Sequence, residues 1–114
     1  MALYSVPQVT LTSSKQKMSV LALGTATFPP VDPKIVVNAV LEAIKLGYRH
    51  FDTASVYHTE HSLGDAIAEA FRLGLINSRD ELFITSKLWC SDAHADHVLP
   101  ALKKTLEYLL FANT

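Results

Sequence analysis

Asp52, Tyr57 and Lys87 are residue types that could together move a proton. An ammonium close to a phenol favours the phenolate and lowers its pKa, while a carboxylate holds the ammonium in place. A phenol tuned in this way can give a proton to a developing alkoxide. Reduction of a carbonyl by hydride needs such a donor, and the hydride must come from a cofactor. Residue types alone do not select this chemistry. An isolated Asp, Tyr or Lys is more often simply a cap, an amphipathic core residue or a solvated charge.

The elements around these residues suggest how they meet. Tyr48, His50 and Asp52 alternate with Arg49, Phe51 and Thr53 after Gly47, a short strand that follows a helix. Asp52 falls where that strand should stop, and the small residues up to Tyr57 allow a loop to fold back. Leu82–Trp89 reads as a second strand of β-branched and aromatic residues, with Lys87 unexpected near its end. If the two strands are neighbours, the carboxylate, the phenol and the ammonium share the carboxyl edge of a parallel sheet, where ligands collect in α/β folds.

The rest of the chain supplies an α/β alternation. Val9–Leu23 reads as a hairpin with its turn over 13–16, running into the small-residue loop Gly24–Thr27. Asp32 and Pro33 are N-cap and first-position signals for a helix over 33–46, ended by Gly47. Its expected stripe is Ile35, Val36, Ala39, Val40, Ala43 and Ile44. A second helix is expected over 60–73, with Leu63, Ile67, Ala70 and Phe71 inward and Gly74 as its stop. Asn77–Asp80 reads as a turn. A third helix is expected from Asp92, with Val98, Leu102, Leu106 and Leu109 at helical spacing and Pro100 in its first turns or at a kink. This order implies a parallel sheet with right-handed crossovers.

Composition narrows the partners. At 114 residues the chain holds one domain at most, with 49% hydrophobic and 18% charged residues. A net charge of −1 gives no electrostatic reason to expect nucleic acid or an anionic membrane. Cys90 is alone, so no internal disulfide is possible and a reducing, cytoplasmic setting is expected. No signal-peptide pattern or bilayer-length apolar run is present. The pairs His58/His61 and His94/His97 have i, i+3 spacing, but one cysteine and no completing acidic cluster leave zinc short of ligands, so no metal is expected.

The run Gly47–Ala54 with Tyr57 resembles the first signature of the aldo-keto reductase family. Glu81–Trp89 resembles the strand carrying that family's catalytic lysine, Gly24-Thr25 its first cofactor-contacting turn, and Val98–Leu102 its third-helix pattern. Within the family the flavour is that of the plant codeinone, methylecgonone and chalcone reductases of specialised metabolism.

The resemblance implies a (β/α)8 TIM-type barrel closed at its base by an N-terminal hairpin, with NADPH across the carboxyl ends of the strands. Residues 1–114 would be the hairpin and first three β/α units of that barrel. It implies Tyr57 as proton donor, Lys87 as the group that lowers its pKa, and Asp52 as partner of Lys87. It also implies Gly24, Thr25 and Asp52 beside the nicotinamide end of the cofactor. Trp89, with Ala26, Thr27 and His58, would line a pocket for a small carbonyl substrate; an ordinary packed aromatic at a strand end is the lesser alternative for Trp89.

A barrel of this type needs on the order of 250 residues, so a truncated barrel is expected. The family's catalytic histidine on the next strand and its later serine, lysine and arginine contacts to the adenosine phosphate have no counterpart before Thr114; Leu106–Leu110 begins the approach and Phe111–Thr114 leaves the pattern. Full-length family members are usually monomers, whereas an open sheet exposes edges that favour self-association or degradation. A non-catalytic truncated or spliced interaction module is therefore the alternative to a reductase. A small flavodoxin-like nucleotide-binding module explains the α/β order but not the Asp-Tyr-Lys set.

Overall fold

Helix α1 (Pro33–Lys45) starts where its cap chemistry dictates: the Asp32 carboxylate accepts from the Lys34 N–H at 2.9 Å, and Pro33 stands at the first helical position. Leu46 ends the helix and Gly47 turns the chain out with φ 102°, a left-handed conformation that disfavours a side chain. The Arg49 guanidinium donates to the carbonyls of Ile44 and Tyr48, both at 2.8 Å, and so fastens the helix end to the strand that follows. A computed structural model of the chain describes residues 5–109. The approach expected at Leu110 and the departure at Phe111–Thr114 lie outside the described residues.

Strands β1 (Gln8–Thr10) and β2 (Lys17–Ser19) form the antiparallel hairpin, Val9 opposite Met18. A separate three-stranded parallel sheet has the order β3 (Leu23–Gly24), β4 (His50–Asp52), β5 (Phe83–Thr85). Gly24 pairs with Asp52, and Asp52 with Thr85. Helices α1, α2 (Glu60–Arg72) and α3 (Val98–Tyr108) each follow one of these strands. The architecture is thus α/β, a β-hairpin followed by three β/α units.

Period-2 alternation sends the side chains of β4 to two faces. Phe51 turns toward the helices and is fully buried among Val40, Ile44, Leu63, Ile67, Ile76 and their neighbours. Burying one such aromatic is worth about 1.5–3 kcal/mol. His50 and Asp52 turn to the opposite face. His50 Nδ1 lies 2.9 Å from the Ser19 carbonyl and Nε2 lies 3.1 Å from Thr85 Oγ1, so this one ring ties the hairpin, β4 and β5 together. A carbonyl only accepts, so Nδ1 carries the donating proton.

Four expectations need correction. Ile35 and Phe71 are each 57% exposed and Ala39 is exposed as well, so the buried stripes are Val36, Val40, Ala43 and Ile44 in α1 and Leu63, Ala66, Ile67 and Ala70 in α2. Each helix touches the sheet with one narrow face, and the flanking apolar positions remain in solvent. The strand expected over Leu82–Trp89 spans only Phe83–Thr85, which leaves Lys87 and Trp89 beyond the ladder. Asp92 ends a 3₁₀ turn (Cys90–Asp92), and α3 begins six residues later. Pro100 agrees with that start, because in a first turn its missing N–H has no helical partner to lose.

The α3 stripe is also only partly buried. Leu109 is enclosed, Leu106 is half-buried, and Val98 and Leu102 are exposed. Among the described residues no strand pairs with the outer edge of β5, so this part of α3 has no sheet beneath it. What seats the helix is its far end, where Arg79 Nη1 donates to the Leu109 carbonyl at 2.9 Å and Tyr108 lies against Gly64 of α2.

Candidate active site

The carboxyl ends of β4 and β5 bring Asp52, Tyr57 and Lys87 together. Asp52 is the last residue of β4, held by its ladder partners on both sides. Past it, Thr53 N donates to Thr85 O at 2.8 Å, and a 3₁₀ turn over Ser55–Tyr57 folds the chain back over the sheet. His58 closes that turn with φ 58°, a left-handed conformation that few non-glycine residues accept. Lys87 lies two residues beyond β5, its carbonyl receiving the Ser55 N–H at 3.4 Å and the Ser55 hydroxyl at 3.3 Å.

An ammonium carries three donors and no acceptor. Lys87 Nζ lies 2.7 Å from Asp52 Oδ2, 3.0 Å from the Thr53 carbonyl and 3.3 Å from Tyr57 Oη, and so directs its three protons at three oxygens. It also stands 4.9 Å from the centre of the Tyr57 ring. Contact with the Asp52 carboxylate raises the Lys87 amine above the ordinary lysine value, desolvation opposes this, and the Tyr57 hydrogen bond adds to the rise. Charged Lys87 is therefore the resting state. The side chains of Lys87 and Asp52 are 46% and 36% exposed, so this is a rim-exposed pair that solvent screens.

Gly24 and Thr25 border the same edge. Nothing lies within 4 Å of the place a Cβ would occupy on Gly24, which leaves open space beside Asp52. Thr25 is buried and turned inward: its N–H and hydroxyl both donate to the Asp52 carbonyl, at 3.0 and 3.2 Å, and its Oγ1 lies 2.8 Å from Thr59 Oγ1. Trp89 and His58 share a groove of about 530 Å3 with Ser55, Asp92, Lys104 and Tyr108. Ala26 and Thr27 are exposed and are not among the residues lining it.

Sequence reasoning missed three contributors. The Thr53 carbonyl takes a lysine proton, but a backbone acceptor leaves no mark in residue types. Ser55 holds the Lys87 carbonyl. Glu60, read only as the start of a helix, is 4% exposed and accepts from Ser86 Oγ at 2.7 Å. Its place directly after the loop that carries Tyr57 was the available signal. Among the described residues there is no group of three or more His, Cys, Asp and Glu that could hold a metal ion, and no helix long and apolar enough to cross a membrane.

A hairpin before three parallel β/α units, with an Asp-Tyr-Lys cluster at the carboxyl edge, defines an α/β domain whose candidate site lies at the strand ends. The chain belongs to the aldo/keto reductase family, whose sequence model matches residues 20–112. It is 56% identical over 107 residues to a D-galacturonate reductase of Fragaria ananassa, covering 91% of this chain and 34% of that protein. It is 59% identical over 104 residues to an NADPH-dependent codeinone reductase of Papaver somniferum, covering 91% of this chain and 32% of that one. Its fold is similar to the crystal structure of a Bombyx mori aldo-keto reductase in complex with NADP, with TM-score 0.83 and 39% identity over 93% of this chain and 35% of the other. The chain spans about a third of the length of the curated relatives it matches.

Proposed function

We propose that residues 1–114 are the hairpin and first three β/α units of a (β/α)8 barrel that reduces a ketone or aldehyde to the alcohol with NADPH in the cytosol. The observation that carries this reading is the direction of the Lys87–Tyr57 hydrogen bond. Because an ammonium can only donate, Tyr57 Oη accepts, and its own proton stays available to a third group. A carbonyl oxygen gaining negative charge is the kind of group that would take it.

In this reading Tyr57 protonates the substrate oxygen, Lys87 stabilises the charge left on the phenol, and Asp52 keeps the ammonium in place. The open side of Gly24 next to Asp52 fits a flat ring lying against backbone at the strand ends. Gly24, Thr25 and Asp52 would border the nicotinamide end, with Thr25 acting from below by fixing the Asp52 carbonyl. Bound there, NADPH would supply the hydride for the carbonyl carbon. Trp89 and His58 would shape the substrate side of the rim, and Ala26 and Thr27 would reach it from the β3 exit.

The test is binding and turnover in the purified chain. NADPH is expected to quench Trp89 fluorescence saturably, and NADPH oxidation on addition of a ketone or aldehyde is expected to be weak, since residues 1–114 hold only three of the four catalytic positions that the resemblance implies. Quenching that does not saturate, together with no turnover, would overturn the reading for this chain. A second reading, a non-catalytic module that associates with copies of itself, is favoured by exposed Val98, Leu99 and Leu102 beside the outer edge of β5, with which no strand pairs among the described residues. A mass in sedimentation that rises with concentration would support it, and a constant monomer mass would exclude it.

A further inference from the structure

Glu60 is a carboxylate almost wholly removed from water, at the first position of α2. Buried carboxylates survive only with partners. Its location in the first helical turn sets it against the positive end of the helix dipole, and the Ser86 hydroxyl donates to Oε2 at 2.7 Å. Ser86 immediately precedes Lys87, and successive residues of an extended segment point to opposite faces. The Ser86 side chain therefore turns down to α2 while Lys87 turns up to Asp52, Thr53 and Tyr57.

Lys87 lies past the last ladder residue of β5, and two contacts hold its backbone there. The Ser55 N–H and hydroxyl both donate to its carbonyl, and Glu60 accepts from the residue before it. We infer that Glu60 is a positioning residue for Lys87, its buried carboxylate acting through Ser86 to fix the backbone from which the lysine reaches Tyr57. The inference deepens the reductase reading and rests on it for its meaning in catalysis. The geometric claim, that Glu60 sets the lysine's contacts, does not depend on any cofactor.

The test observes the Lys87 ammonium directly, in the full chain labelled with 15N-lysine, by NMR at mildly acidic pH. In the wild-type chain this ammonium is expected to give a resonance separate from those of solvent-exposed lysines, and Asp52→Asn and Tyr57→Phe are expected to shift it. Glu60→Ala and Ser86→Ala are expected to collapse it toward the exposed lysines. Glu60→Gln, which still accepts from Ser86, should retain it, and the double Glu60→Ala/Ser86→Ala variant should do no more than either single change. A Glu60 that merely stabilises α2 would lower the melting temperature and leave the resonance in place, which overturns the inference. If Glu60→Ala does not fold, Ser86→Ala, the loss of one hydroxyl, decides the matter in the same way. Failure of the reductase reading would look different: the wild-type chain would not bind NADPH, while the ammonium resonance kept its response to Glu60 and Ser86.

Discussion

Gly64 of α2 lies directly beneath the carbonyl of Tyr108 in α3, so close that a Cβ on Gly64 would overlap that oxygen. In an open helix, Gly→Ala gains about 0.5–1 kcal/mol from backbone entropy. Here the obstacle is backbone and cannot rotate away, and overpacking of this kind costs about 1–3 kcal/mol. Gly64→Ala should therefore destabilise the chain, and denaturant unfolding would register the sign. A gain in stability would mean that α3 rides on α2 less tightly than this contact indicates.

Phe51 is the hinge of the core. Truncating it to Ala removes a ring with no exposed surface from the centre of the helix–sheet interface, at a cost of about 3–5 kcal/mol. Total stabilities of about 5–15 kcal/mol are usual for a domain, so Phe51→Ala should remove a large share of the chain's stability. A urea midpoint close to the wild-type value would refute this.

Tyr57→Phe separates chemistry from folding. The Lys87–Asp52 and Lys87–Thr53 bonds persist without the phenol, so stability should change by about 1 kcal/mol or less. If Tyr57 is the proton donor, carbonyl reduction should fall about 10²–10⁴-fold in the same protein. Equal turnover by the two proteins would remove Tyr57 from that role.

The Lys87–Asp52 pair predicts a particular dependence on pH. The folded state holds the lysine proton more tightly than the unfolded state does, since the Asp52 contact raises its pKa. Its contribution is then fully present below the unfolded value of about 10.4 and is lost as pH rises through the higher folded value. The stability difference between wild type and Lys87→Met should be flat from neutral pH to about pH 10 and shrink only beyond it. Because both groups are more than a third exposed, that difference should be on the order of 1 kcal/mol or less. A difference that disappeared near neutral pH would contradict the assignment.

His50→Ala should loosen the hairpin. The ring contacts both Ser19 O and Thr85 Oγ1, and losing two such bonds costs about 1–3 kcal/mol. Hydrogen exchange of the β1–β2 amides should quicken more than that of α1. Unchanged protection of the hairpin would locate its attachment elsewhere.

What could be read in the sequence depended on whether a local residue forces the backbone. Asp32, Pro33, Gly47 and Gly74 punctuate α1 and α2, and both helices stand within a residue of their expected limits. The limits of β5 and α3 differ from their expected positions for another reason. Leu88 and Trp89 have strand propensity, but propensity cannot indicate where a neighbouring strand ceases to supply partners. Ile35 and Phe71 are apolar and at helical spacing yet exposed, because burial follows the narrow contact face of each helix and not its full apolar arc. The Asp52–Tyr57–Lys87 geometry follows from parallel pairing of β4 with β5, which residue spacing alone left among several options. Glu60 stayed hidden because an acid after Thr59 at a helix start already has a sufficient local explanation.

Strand β4 is only three residues long, and its ends on one face are His50 and Asp52. The imidazole seats the N-terminal hairpin and the carboxylate faces the lysine, with a single peptide repeat between them. The residue that anchors the hairpin and the residue that pairs with the lysine thus share one three-residue strand, so a hairpin seated differently against His50 would carry its displacement toward Asp52.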